Sequence, residues 1–370
     1  MPTARMPTTT CVPFMKPKAV QATTDHNPHL IHSRAGIQDP LYALFGVRSD
    51  KCSEGTGICR ERASARRRVT RYWKSSMHIQ TIAFALAVVP IMAFAQTAAP
   101  LLVDTAWLAQ HLKDRDLVLL HAGPQKDYEA GHIPGARHIQ MADVVKPMAH
   151  TDDREIMVEL PEADQLRAKL AALGVSDDSR IVLYYSSDQV VSATTRILFT
   201  LDYLGLGERA SLLNGGLPGW VAAGKPVTTE VATFAPGKLT ERPVKKNMVV
   251  DADLVKSIGE HPGYKLVDAR APVYYKGTEP TYKKSGHIPG AVSIPFSELL
   301  DDKLNMDRER VAESFRKAGI KPGDTVVTYC HIGMQATVVM LGARMLGNPV
   351  MLYDGAFQDW AQNDRGPVEK

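Results

Sequence analysis

Gly131-His132-Ile133-Pro134-Gly135-Ala136 recurs letter for letter as Gly286-His287-Ile288-Pro289-Gly290-Ala291, 155 residues further along a chain of 370. An identical hexapeptide at that separation marks an internal repeat, and its flanks extend it. Leu119-Leu120-His121-Ala122-Gly123 stands where Leu266-Val267-Asp268-Ala269-Arg270 stands later. Val182-Leu183-Tyr184-Tyr185-Ser186 matches Val326-Val327-Thr328-Tyr329-Cys330, and Asn214-Gly215 before Trp220 matches Asp354-Gly355 before Trp360. The blocks keep their order. This gives one unit near 100–228 and a second near 248–368, joined by a linker, 229–247, that holds Pro236, Gly237 and Pro243.

Each unit alternates short apolar runs with amphipathic segments. The spacing predicts strands at Leu117–His121, Arg180–Tyr185 and Ser211–Leu213, then at Lys265–Asp268, Thr325–Tyr329 and Val350–Tyr353. It predicts helices at Thr105–Leu112, Pro161–Leu173 and Thr194–Leu204, then at Asp251–Ile258, Arg308–Ala318 and Gln335–Leu346. Strand and helix in alternation imply an α/β fold, a mostly parallel sheet with helices on both faces. Ligands of such sheets sit beyond the carboxyl ends of the strands, and Cys330 lies at one of those ends.

The front of the chain reads differently. Residues 1–95 carry 13 Lys+Arg against 5 Asp+Glu, which leaves 31 and 35 in residues 96–370, a net charge of −4. The folding part is mildly acidic, so no nucleic-acid surface is indicated. Residues 1–76 show no sustained apolar period and read as a disordered leader or a mis-called start. Met77 opens a stretch whose apolar run, Ile82 to Ala95, ends in Ala93-Phe94-Ala95, a small-x-small cleavage pattern. Residues 77–95 are therefore expected to be a signal peptide, which makes the mature protein periplasmic or secreted. The run is too short for a membrane span, which needs about 20 residues, and it contains Pro90. Cys11, Cys52 and Cys59 fall upstream of the cut, so the mature chain keeps only Cys330. A lone thiol is either a buried bystander or a reactive group.

Cys330-His331-Ile332-Gly333-Met334-Gln335 lies between a buried strand and the start of a helix. Backbone N–H groups converge in such a loop and the helix N-terminus adds partial positive charge, so a thiolate with a lowered pKa is expected. The same cradle suits a persulfide sulfur or the oxygens of a sulfonate-like substrate.

The hexapeptide, the Leu-Val-Asp-Ala-Arg block and the cysteine loop together resemble the tandem-domain rhodanese family of thiosulfate and 3-mercaptopyruvate sulfurtransferases, over about 100–368. The resemblance implies two tandem rhodanese-like domains, the first inactive and the second catalytic. It implies that Cys330 takes a sulfane sulfur from a small-molecule donor and passes it, through a persulfide, to cyanide or a thiol. No metal or cofactor is implied. Arg270 matches the family's substrate-binding arginine, whose planar fork suits a carboxylate or sulfonate; its plainer role is a surface salt bridge. Asp268 orients Arg270 or the loop, or is a structural acceptor. His331, Ile332, Gly333, Met334 and Gln335 form the substrate-facing loop. Thiosulfate-type members carry basic residues just after the cysteine and mercaptopyruvate-type members small neutral ones; here these are His331 and Ile332. A cysteine phosphatase would need an arginine six positions after the cysteine, where Ala336 stands. A sulfur-carrier or redox-sensing persulfide module with little turnover is the alternative. In the first unit Ser186 and Gly123 replace the thiol and the arginine, which suggests a wall and scaffold for the second.

Overall fold

The computed structural model describes residues 99–147 and 156–370. The stretches expected to be a leader, 1–76, and a signal peptide, 77–95, lie outside the described residues.

Each half of the repeat builds a five-stranded sheet, and both sheets have the same strand order. The first contains β1 (Leu102–Val103), β2 (Leu117–Ala122), β3 (Arg137–Ile139), β4 (Arg180–Tyr185) and β5 (Ala210–Leu213), in the order β1-β5-β4-β2-β3. The second contains β6 (Val249–Val250), β7 (Tyr264–Asp268), β8 (Val292–Ser293), β9 (Thr325–Tyr329) and β10 (Val350–Tyr353), in the order β6-β10-β9-β7-β8. Every pairing is parallel. The central strands are buried from end to end, as Ile181–Tyr185 and Val326–Tyr329 illustrate. That is why they read as continuous apolar runs and not as alternations.

The helices of the first half are α1 (Thr105–His111), α2 (Gln125–Ala130), α3 (Ala163–Ala172), α4 (Val191–Tyr203) and α5 (Gly216–Ala222). Those of the second are α6 (Ala252–Lys256), α7 (Pro272–Tyr275), α8 (Arg308–Lys317), α9 (Gln335–Leu346) and α10 (Ala356–Gln362). The segment 229–245 forms neither strand nor helix. It is tied to the first half by backbone bonds from Gly237 to Ala171 and from Lys245 to Tyr203.

The repeated hexapeptide does the same structural work twice. His132 stacks on Tyr128 at 3.8 Å, bonds its carbonyl through Nδ1 and exchanges backbone hydrogen bonds with Thr228. His287 stacks on Tyr275 at 3.8 Å, bonds its carbonyl through Nδ1 and exchanges backbone hydrogen bonds with Glu369. The next amide donates to a buried tyrosine hydroxyl in both halves, Ile133 to Tyr184 and Ile288 to Tyr329. These histidines serve the fold.

The apolar core falls into three bodies. One lies on the outer face of the first sheet, around Leu108, Ile133, Tyr184 and Trp220. A second lies on the outer face of the second sheet, around Ile288, Tyr329, Phe357 and Trp360. The third is shared: Ile197, Leu198 and Leu201 of α4 join Val338, Val339 and Leu341 of α9 between the two sheets. Both helices are buried nearly all round, because each is covered on one side by its own sheet and on the other by the opposite half. A polar contact crosses the seam within this core: Thr195 Oγ1 meets Thr337 Oγ1 at 2.8 Å.

Candidate active site

The β7–β9 register pairs Asp268 with Tyr329, so Arg270 and Cys330 leave the sheet at the same edge. Cys330 is 1% exposed. Beyond it the chain bends through His331–Met334 into α9, and Gly333 takes φ +85°, a left-handed conformation that suits glycine. Its N–H donates to Cys330 Sγ at 3.2 Å. The first turn of α10 closes over the loop: Phe357 N–H donates to the Cys330 carbonyl at 2.9 Å and Gln358 N–H to the His331 carbonyl at 3.1 Å.

This geometry corrects the expected direction of the thiol pKa. Burial pushes the Cys330 thiol up, and the opposing amides of Ala336, Ile332 and Gly333 do not offset it. A thiolate loses more by leaving water here than the loop amides return. The cradle is present as expected, with a neutral thiol at rest.

Arg270 is not a surface group. It is 1% exposed, and Asp268 is fully buried. Arg270 Nε donates to Asp268 Oδ1 at 2.9 Å and to Oδ2 at 3.1 Å, and Nη2 donates to Oδ2 at 2.6 Å. Nη2 also donates to the Gly286 carbonyl at 2.7 Å, and the guanidinium lies 3.9 Å from the centroid of Phe357. Burial opposes the charge, but the hydrogen bonds and charge of Asp268 raise the Arg270 pKa above its ordinary value. The salt-bridge role is therefore met, internally and not at the surface. Asp268 orients Arg270, and its second tie, from the Arg270 N–H to Oδ1 at 2.9 Å, fixes the turn.

His331 is pushed down to about 4, first by burial and then by the charge of Arg270, so it is neutral at pH 7. Its ring meets Tyr274 edge-on at 4.6 Å, and its Nδ1 is buried without a hydrogen-bond partner. Ile332 is half-buried in the loop, and Met334 caps the start of α9, its carbonyl accepting from Thr337 Oγ1 at 2.7 Å. Gln335 Oε1 is a second buried atom without a partner. The structure thus gathers Cys330, Arg270, Asp268 and the whole loop 331–335 at one place.

Sequence reasoning missed Tyr274 and Tyr282. Tyr282 donates to the His331 carbonyl at 3.4 Å, and its hydroxyl is pushed up to about 12, chiefly by burial. Tyr274 lies on α7, one residue before the Tyr275 that stacks on His287, and Tyr282 lies in the loop that follows.

The corresponding place in the first half holds Ser186, whose Oγ donates to Asp127 Oδ2 at 2.8 Å. Asp127 lies on α2, so that helix reaches the Ser186 loop. His121 lies in the position of Asp268, fully buried, with Nδ1 3.1 Å from the Tyr184 hydroxyl. Among the described residues no cluster of His, Cys, Asp and Glu could hold a metal ion, and no helix is long and apolar enough to cross a membrane.

The model of the rhodanese-like domain matches this chain twice, at residues 104–223 and 251–363. A probable 3-mercaptopyruvate sulfurtransferase of Pseudomonas aeruginosa is 31% identical, over 72% of this chain and 97% of that protein. A thiosulfate sulfurtransferase of Rattus norvegicus is 28% identical, over 72% of this chain and 93% of that protein. Among solved structures, wild-type EanB superposes with a TM-score of 0.64 at 22% identity, covering 73% of this chain and 69% of EanB, a likeness of fold.

Proposed function

We propose, since this chain belongs to the rhodanese-like family and is a sulfurtransferase, that Cys330 is its nucleophile and carries the transferred sulfur as a persulfide. The observation that carries the reading is the Gly333 N–H on Cys330 Sγ at 3.2 Å, at the carboxyl end of a parallel strand and ahead of a buried helix. The Cys330 thiolate attacks the outer sulfur of the donor. From thiosulfate the S–S bond breaks and sulfite leaves with its electron pair. From 3-mercaptopyruvate the C–S bond breaks, and the carbon leaves as an enolate that takes a proton to become pyruvate. The persulfide's outer sulfur is then taken by cyanide or a thiol, and the Cys330 thiolate returns.

Between the donors, the charges favour 3-mercaptopyruvate. Arg270 is already paired with Asp268 and His331 is neutral, so the loop offers little net positive charge to a dianion. A single carboxylate asks less of it. The export expected from residues 77–95 belongs to the same reading, with Gln96 as the first residue of the mature protein.

The test is steady-state thiocyanate formation with each donor, beside single-turnover persulfide loading followed by mass. Turnover that vanishes in Cys330→Ser, with a higher kcat/KM for 3-mercaptopyruvate, is the expected result. Persulfide loading without turnover would identify a sulfur carrier instead. Turnover that survives in Cys330→Ser would refute the assignment.

A further inference from the structure

Arg196 lies in the middle of α4, in the half without a thiol, and is fully buried. A buried guanidinium has to find partners, and these partners belong largely to the other half. Nη2 donates to Asp354 Oδ1 at 2.6 Å and to the Val158 carbonyl at 2.7 Å. Nη1 donates to the Gly333 carbonyl at 3.3 Å. Gly333 is the residue whose amide reaches Cys330 Sγ. A Cβ on Gly333 would lie 3.2 Å from Arg196 Nη1, so loop and guanidinium are pressed together.

A second tie reaches the same loop. Gln358 is fully buried. Its side chain holds Met157 of the first half by both amide groups, at 3.0 Å from the Met157 N–H and 2.9 Å to the Met157 carbonyl. Its own backbone N–H donates to the His331 carbonyl. The first half therefore governs two carbonyls of the cysteine loop without touching the sulfur.

We propose that Arg196 is a positioning residue for sulfur transfer: its fork fixes the Gly333 carbonyl, and so keeps the loop amides turned toward Cys330 Sγ. This rests on the reading of Cys330 as the nucleophile. Freed from Arg196, the loop can rotate its peptide groups, and the donors that stabilise a thiolate or persulfide are lost from their fixed positions. The loss falls on chemistry and on the thiol's ionisation, and donor binding is spared.

The experiment uses the full chain carrying Arg196→Met together with Asp354→Asn, which removes both charges of the pair, with Asp354→Asn alone as its control. Thermal unfolding, kcat, donor KM and the pH dependence of alkylation at the Cys330 peptide are measured for each. The expected result for the double variant is a kcat lower by at least about tenfold, and by at most the roughly hundredfold to thousandfold that follows outright loss of a preorganised donor. Donor KM changes little and the alkylation midpoint moves upward. A folded double variant with wild-type kcat and midpoint would overturn the proposal, as would a rise in KM alone. If the double variant does not fold, Arg196→Lys decides, since an ammonium keeps the charge opposite Asp354 but gives up the fork; a wild-type midpoint in that variant counts against the proposal. Cys330→Ser is assayed in parallel. Turnover surviving there overturns the reading of the site and the role of Arg196 with it. A dead Cys330→Ser beside unaffected Arg196 variants overturns the role of Arg196 alone.

Discussion

Replacing Arg270 by alanine should first be a wound to stability. The side chain is 1% exposed, and it supplies three hydrogen bonds to a fully buried carboxylate, Asp268. Its removal leaves that carboxylate without its guanidinium, with the backbone N–H of residue 270 still donating to it. Breaking a buried pair from one side costs about 3–5 kcal/mol, against a total that is usually about 5–15 kcal/mol. At a urea slope of about 3 kcal/mol per molar, the unfolding midpoint should fall by about 1–2 M. A lone buried carboxylate is relieved by taking up a proton, so the deficit should shrink as the pH falls from 7.5 toward about 5. Arg270→Met together with Asp268→Asn removes both charges and should recover most of the loss. The assay is urea unfolding of the three proteins at both pH values, read by far-UV circular dichroism. If Arg270→Ala loses under about 1 kcal/mol, the range of exposed pairs, with no dependence on pH, the pair is not the buried one described. Donor KM is best compared in the double variant, where folding does not confound it.

Three further outcomes are expected. Alkylation of Cys330, followed at its peptide by mass spectrometry, should rise with pH through a midpoint above the ordinary thiol range, because burial outweighs the loop amides; a midpoint below that range would contradict the burial. His121, pushed down from 6.5 to about 4 chiefly by burial, contributes stability that is full above the unfolded value of 6.5 and is lost as the pH falls toward 4. Charging it in the fold costs on the order of 3 kcal/mol, so His121→Gln should flatten the acid limb of stability between those pH values, and an unchanged limb would assign it to other groups. Ser186→Cys should not create a second transfer site, since Gly123 and His121 replace the arginine and aspartate there; persulfide found at residue 186 during turnover would show otherwise.

Much of the fold can be read in the residues. The long strands announce themselves because both their faces are covered, and the hexapeptide gives the repeat. The short elements do not: β1, β6 and β8 have two residues each and α7 has four, too few to show any period. α4 was expected from Thr194 and starts at Val191. Its Arg196 and Asp202 are charged yet buried, and meet Asp354 and Arg344 of the other half, partners that no local pattern announces. At the site, the Asp-x-Arg spacing and the cysteine loop were legible as chemistry. Their state was not. The direction of the thiol pKa depends on α10, which arrives 26 residues after Cys330, and the burial of Arg270 depends on Phe357 and Gly286.

The core shared by α4 and α9 has a consequence for how the molecule comes apart. With Cys330 itself in that core beside Ala336 and Val338, neither copy of the repeat can melt while the other stays intact without wetting the apolar face between them. The two halves should therefore unfold together, and heating should give one transition with a calorimetric enthalpy equal to its van't Hoff enthalpy. The same coupling makes the thiol a reporter for the whole. Any opening that exposes Cys330 to solvent by parting the helices is close to global unfolding, so in the absence of donor its slow phase of labelling should track the unfolding rate of the distant Trp220 side.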